Sequence, residues 1–261
     1  MQPICDDLAA EHADLDRIVG ELDEAGWDAA TASPGWSVRD QISHLWFFDQ
    51  RAMMALTDPE GFADDARRLM AGAGTDASIA PGRAITGREL LAAWRTDRAR
   101  LLEVARTVDP SSRVPWYGPA MAARSFITAR LMETWAHGQD VVDALGVERR
   151  PTGRLRHVAH IGVRARPFSY AIRDMPLPEA DVRVELTAPD GETWTWGEDA
   201  GTDVVRGPAL DFCLVVTQRR HLDDTSLEIS GPAAIEWMSI AQAFAGAPGE
   251  GRRPGQLGRP G

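Results

Sequence analysis

The stretch ETWAHGQD, residues 133–140, sets Glu133, His137 and Asp140 at i, i+4 and i+7. On a helix these three side chains share one face and can converge on one point. A second histidine, His44, stands in QISHLWFF (41–48), among apolar neighbours that exclude an unpartnered polar ring. If His44 lies on a helix packed beside the one that carries Glu133 and His137, two imidazoles and a carboxylate meet in the roughly 8–10 Å between helix axes. Three protein ligands with positions left for water or substrate are the pattern of a catalytic zinc, and iron, nickel and manganese accept the same set. Asp140, one turn beyond His137, is placed to hold that imidazole through its other ring nitrogen. Taken alone, the Glu133–His137 pair is equally compatible with the polar stripe of a solvated helix, and His44 with a core histidine bonded to a backbone carbonyl.

The remaining histidines, His12, His157, His160 and His221, show no comparable grouping; His157 and His160 fall in RHVAHIGVRAR, whose arginines read as a solvated surface. Trp27, Trp36, Trp46, Trp94, Trp135 and Trp237 read as core or interface residues, with Trp135 beside Glu133 placed to wall a pocket. In VVTQRRH (215–221), Arg219 and Arg220 suit a bidentate clamp on a substrate carboxylate at the junction of two domains, or a simple complement to a helix C-terminus. The GAG at 72–74 has no strand before it, and no phosphate-binding loop or serine-nucleophile motif occurs, so nucleotide binding and serine hydrolysis have no support.

The elements that must position these residues are legible from periodicity. At 261 residues with 44% hydrophobic and 26% charged residues, the chain has the composition of a globular protein long enough for two domains. Ile4, Leu8, Leu15, Ile18, Val19 and Leu22 form one helical stripe, with Gly26 as the expected stop. After the turn SPGW, Ser37 and Asp40 predict a capping box opening the helix that holds His44; Thr86 and Glu89 predict a second box and a helix to Val108. Residues 71–84 have the composition of a loop, and DPSSRVPWYGP (109–119) marks a boundary. From Ser125 a fourth helix runs to Gly146, a C′ residue, and the four long helices imply an antiparallel bundle over residues 1–150. Over 151–245 the pattern predicts a helix at about 153–168, two strands around the Asp190–Gly191 turn, a strand in TDVVRG, a helix in PALDFCLVVTQRR, a strand in TSLEIS and a final helix from Gly231: a small α/β domain, making the chain α+β. Residues 246–261, rich in Pro and Gly, read as disordered.

The net charge of −11 argues against nucleic-acid or anionic-membrane partners and leaves a small-molecule substrate. The acidic start, MQPICDDLAAEHADLD, lacks the pattern of a signal peptide, so a cytoplasmic protein is expected. Cys5 and Cys213 form no CxxC pair; if thiol chemistry occurs, the thiol comes from outside.

With these residues in view, PGWSVRDQISHL (34–45) resembles the segment that delivers the first histidine in the mycothiol-dependent maleylpyruvate isomerase-like family of the DinB-like metal-binding superfamily. ETWAHGQDVVDALG (133–146) is similar to that family's E-x-x-x-H-x-x-D segment, and GPALDFCLVVTQRR (207–220) to its carboxyl-terminal helix ending in arginine; the resemblance covers about residues 1–245. It implies a DinB-like four-helix bundle holding a divalent metal, usually zinc, on His44, Glu133 and His137, followed by a small sterol-carrier-like α/β domain. It implies mycothiol as a cosubstrate in isomerase or S-transferase chemistry, with Arg219 matching the family arginine and Arg220 beside it. TQRRHLDDTSLEISG and AQAFAGAPGEGRRP are similar to a subgroup described only as metal-binding. A thiol-independent metal enzyme of biosynthesis or detoxification and a noncatalytic metal- or ligand-binding protein are the alternative readings.

Overall fold

In the computed structural model, which describes residues 1–72, 76–198 and 202–257, the first helix α1 (Gln2–Val19) buries Ile4, Cys5, Leu8, Leu15 and Val19. It stops at Gly20 rather than at Gly26. Asp23 is the reason: its carboxylate accepts the Gly26 N–H at 2.8 Å and opens a separate one-turn helix, α2 (Glu24–Trp27). Both predicted capping boxes form, Ser37 with Asp40 at the head of α3 (Val38–Thr57), and Thr86 with Glu89 at the head of α6 (Gly87–Thr107).

Between them, residues 71–72 and 76–83 are helical where a loop was expected over 71–84. α4 spans Pro59–Gly72 and α5 spans Asp76–Arg83; residues 73–75, which include most of the GAG triplet, lie outside the described residues. α4 buries only Phe62 and Ala66, too thin a stripe to announce itself, and α5 carries Pro81 inside it, so packing against α3 rather than propensity sustains it. The 109–119 boundary leads into a hairpin of β1 (Arg113–Val114) and β2 (Met121–Ala122). α7 (Ala123–Leu145) follows and ends at Gly146, whose φ of 62° is the left-handed cap a glycine accepts without strain. α3 packs on α6 and α7, and α1 on the same two helices. Leu15, Trp27, Ile42, Leu45, Leu90, Trp94 and Val141 form the core of this unit, Met1–Val147.

The second unit, Glu148–Gly261, opens with α8 (Leu155–Arg164) and α9 (Arg166–Ala171), two helices where one was expected; Pro167 sits in the first turn of α9. Strands β3 (Arg183–Thr187), β4 (Thr193–Trp196), β5 (Val204–Pro208) and β6 (Glu228–Ser230) form one sheet in the order β4-β3-β5-β6. β3 and β5 run parallel and the outer pairs antiparallel. Val182, Val184 and Leu186 alternate inward, and α10 (Ala209–Val216) packs on α8 and on the sheet. α11 (Pro232–Ile240) is held by Asp203, whose carboxylate accepts the N–H groups of Ala233 and Ala234. The described residues of the tail, 246–257, carry no helix or strand; Gly249 N–H meets Gln242 and Gly255 N–H meets Asp224, while 258–261 lie outside the described residues. The architecture is α+β with an amino-terminal helical domain. Among the described residues, no helix is long and apolar enough to cross a membrane.

One buried group makes this fold sensitive to acid. His12, 2% exposed on α1, packs edge-on against Trp94 at 5.7 Å, and among the described residues neither ring nitrogen has a hydrogen-bond partner. Burial, opposed by the Asp49 charge, lowers its pKa from 6.5 to about 4. The unfolded chain therefore binds a proton that the folded chain refuses between these two values, so stability is full above pH 6.5 and falls as pH drops toward 4. The loss from this one group is about 3 kcal/mol. Urea unfolding from pH 7 to 4 should show it, and His12→Leu should flatten that limb.

Candidate metal centre

α3 and α7 bring the three expected residues together. One ligand-capable atom each of His44, Glu133 and His137 lies within 4.8 Å of the others. Nε2 of His137 is 3.3 Å from Oε2 of Glu133, and the two imidazole centroids are 4.5 Å apart. Two ligands on a tetrahedral zinc with bonds of about 2.0–2.1 Å stand about 3.3 Å apart, so the Glu133–His137 edge already has the required span.

Each ring is held from behind through Nδ1. His44 meets Ser78 Oγ of α5 at 3.0 Å, and His137 meets Gln41 Oε1 of α3 at 2.6 Å. Gln41 thus takes the place that the sequence suggested for Asp140. Asp140, fully buried on α7, accepts from Ser33 Oγ of the 28–37 loop at 3.4 Å.

The chemistry of the gap favours a cation. With Nδ1 donating to an amide oxygen, Nε2 of His137 offers its lone pair to a carboxylate, and two acceptors facing each other need a positive centre between them. Burial works against the Glu133 charge, but when the His137 ring is charged its hydrogen bond and charge, with the charges of Arg130 and His44, hold the carboxyl at about 2. A divalent cation meets the same demand and engages the second imidazole as well, so the residues fit a metal of the zinc class.

Aromatic rings enclose the centre. The Trp36 ring lies nearly parallel to His137 at 6.1 Å and 5.2 Å from His44, while Phe48 is 4.6 Å from His44. Phe48 continues into Trp116 and Tyr117 from the hairpin, and Trp116 stacks on Phe62 of α4 at 5.3 Å. Burial pushes the Tyr117 hydroxyl up to about 12. Trp36 walls the site, and Trp135 is buried on α7. The signal for Trp36 was its place in PGW, just ahead of the Ser37 cap.

His160, His221, Arg219 and Arg220 belong to the second unit. His160 accepts from Trp196 Nε1 at 3.3 Å, and His221 caps a 3₁₀ turn, Leu222–Asp224. Arg219 and Arg220 follow α10 in the second unit, 9% and 8% exposed, beyond a turn in which Gln218 has φ of 58°. Their Nη1 groups donate to the carbonyls of Thr217 and Arg219 at 2.6 and 2.9 Å. Cys5 and Cys213 are buried, and burial raises both thiols.

The family model described as the mycothiol maleylpyruvate isomerase N-terminal domain matches residues 8–142. The chain belongs to this family. Two curated relatives from Mycobacterium tuberculosis strains, both described as uncharacterized, are 45% identical over 253 residues, covering 96% of this chain and 98% of theirs. The crystal structure of the mycothiol-dependent maleylpyruvate isomerase matches with a TM-score of 0.57 at 16% identity, over 84% of this chain and 89% of that one. A histidine-to-alanine mutant of that enzyme gives 0.56 at 15%. At these identities the two structures speak for the fold.

The support under His44 depends on a close approach of α5 to α3. Ser43 Oγ donates to the Ser78 carbonyl at 2.8 Å and accepts the Gly82 N–H at 3.0 Å; a Cβ on Gly82 would stand 2.4 Å from Ser43 Cβ. Gly82→Ala should force the helices apart and cost about 1–3 kcal/mol. A lower urea midpoint is expected, and an unchanged one would show that α5 shifts without resistance.

Proposed function

We propose that the protein holds a divalent cation, zinc fitting best, on His44, Glu133 and His137, and works with a low-molecular-weight thiol, mycothiol, on an electrophilic small molecule. The observation that carries this is the convergence of the three donor atoms within 4.8 Å in a chain of this family. The buried, high-pKa state of Cys5 and Cys213 supports an external thiol, since neither can supply a thiolate near neutral pH.

A cation held there lowers the pKa of a thiol beside it and so favours thiolate at neutral pH. The chain's own groups do the rest. Glu133, kept ionised, and the two imidazoles, each fixed through Nδ1, define the point where sulfur is presented. Trp36 and Phe48 keep water from that point, which strengthens every charge interaction within it. For an isomerisation, the thiolate adds to an electron-poor C=C bond, the π pair moves onto the conjugated carbonyl oxygen, the new single bond rotates, and return of the pair expels the thiolate with the double bond in the other geometry. For an S-transfer, the enolate takes up at carbon a proton equivalent to the one the thiol gave up, and the adduct is released. In this reading Arg219 and Arg220 orient a substrate carboxylate, and Asp140 supports the centre from α7.

Protein purified from metal-replete medium should contain about one divalent cation per chain by elemental analysis, and His44→Ala and His137→Ala should each abolish it while leaving the helical circular dichroism unchanged. A metal-free wild type would sink the proposal. Incubated with maleylpyruvate, the metal-loaded protein should give the trans isomer only when mycothiol is added. Turnover that ignores added thiol would instead favour a metal enzyme acting as a Lewis acid.

A further inference from the structure

The bond between Gln41 and His137 has a direction, and the loop ahead of α3 sets it. A glutamine amide can offer an imidazole its oxygen or its nitrogen, and the two choices impose opposite tautomers on the ring. Thr31 removes the choice. Its hydroxyl donates to the Trp36 carbonyl at 2.9 Å and accepts the Ser33 N–H at 3.3 Å, so toward Gln41 the oxygen can only accept. Gln41 Nε2 donates to it at 3.1 Å. The amide oxygen is thereby turned to His137 Nδ1, and Gln41, with no exposed surface, has no water with which to exchange that bond. In the neutral ring Nδ1 then carries the proton, and Nε2 keeps the lone pair on the side of Glu133.

We infer that Thr31 and Gln41 form a positioning relay that holds His137 in its Nδ1–H tautomer and so presets Nε2 as a metal ligand. The inference rests on reading the three residues as a metal centre and extends that centre to the loop before α3. Neither residue touches the reacting atoms; both act through His137. The loop is itself closed by its own backbone: Thr31 N–H bonds the Trp36 carbonyl at 2.8 Å, Val38 N–H bonds the Ala29 carbonyl at 3.0 Å, and Ala30 pairs with Ser37 in a β-bridge. With the opposite tautomer, a proton would occupy the nitrogen that the cation needs, and binding would first have to expel it or turn the ring.

Three variants of the full chain separate the roles. Thr31→Val keeps the side-chain shape and removes the hydroxyl, freeing the amide to turn. Gln41→Leu removes both polar atoms, whereas Gln41→Glu keeps an acceptor for Nδ1–H. Nitrogen-15 NMR of the metal-free protein, at a pH well above the ordinary imidazole range, reads the tautomer, and competition with a chelator reads the zinc affinity. The wild type should show His137 protonated on Nδ1, and Thr31→Val a mixture of tautomers. Zinc affinity should fall roughly 10–100-fold in Gln41→Leu, by less in Thr31→Val, and recover in Gln41→Glu. An Nε2–H tautomer in the wild type, or unchanged zinc affinity in folded Gln41→Leu, overturns the relay. Should Gln41→Leu fail to fold, Thr31→Val at its half-buried position decides by the same two readouts. A wild type that binds no zinc defeats the metal reading alone, because the tautomer of the metal-free protein still tests the relay.

Discussion

The carboxylate of Asp49 sits where α3, α6 and α7 meet, and the register of the whole site depends on it. Its Oδ1 accepts Nε and Nη2 of Arg130 at 3.2 and 2.9 Å, and its Oδ2 accepts Trp94 Nε1 at 3.0 Å. Asp49 is 1% exposed and Arg130 4%. An ion pair so far from water is tolerable only when its partners are all in place, and stranding either charge costs about 3–5 kcal/mol. Asp49 lies a little over one turn beyond His44 on α3, and Arg130 nearly one turn before Glu133 on α7. A slip of one residue turns a helix by about 100° and moves it about 1.5 Å. Such a slip would part the ligand set and strand the pair at once, so the energy that fixes the core also fixes the metal centre.

The same guanidinium acts on the site through charge. Arg130 is among the groups that keep Glu133 ionised against its burial, after the contribution of His137. The aromatic lining makes that influence larger, because Trp36 and Phe48 replace polarisable water beside the imidazoles with ring faces and edges. A poorly hydrated pocket and an ionised ligand set oppose each other energetically, and the cluster resolves the conflict only with a positive charge at its middle. The polar groups around the centre accordingly lie in pairs: Asp49 with Arg130, Gln41 with His137, Ser78 with His44.

The features that the sequence announces most clearly are those whose physics is local. Ser37 with Asp40, Thr86 with Glu89, and Gly146 each satisfy backbone groups within a turn of themselves, and each falls where spacing predicts it. His44, Glu133 and His137 were legible because three donors at helical spacing stood out from their surroundings, and their family segments sharpened the reading. What the sequence hid depends on partners far along the chain. Asp23 ends the first helical stripe early by capping a turn of its own, and α5 forms through bonds from Ser43 despite a proline within it. Gln41 looked like one more polar residue on α3, and only its distance to His137, 96 positions away, gives it a role that spacing assigned to Asp140.

That exchange of roles gives Asp140 a different place in the same machinery. Ser33 donates to Asp140, Arg83 donates to both Asp40 oxygens and to the Gly35 carbonyl, and Trp36 lies over His137. α7 and α5 thus each reach the short loop 28–37, and α3 holds it by several bonds, among them Arg39 to Asp28 and Gln41 to Thr31, so that the loop in turn orients Gln41. Because α3 begins at Ser37, one capping box serves two ends: it starts the helix that carries His44, and its Asp40 recruits Arg83 to fix the loop that aims His137. The geometry of the metal centre is therefore written partly in residues that do not ligate, placed within a few positions of a helix start.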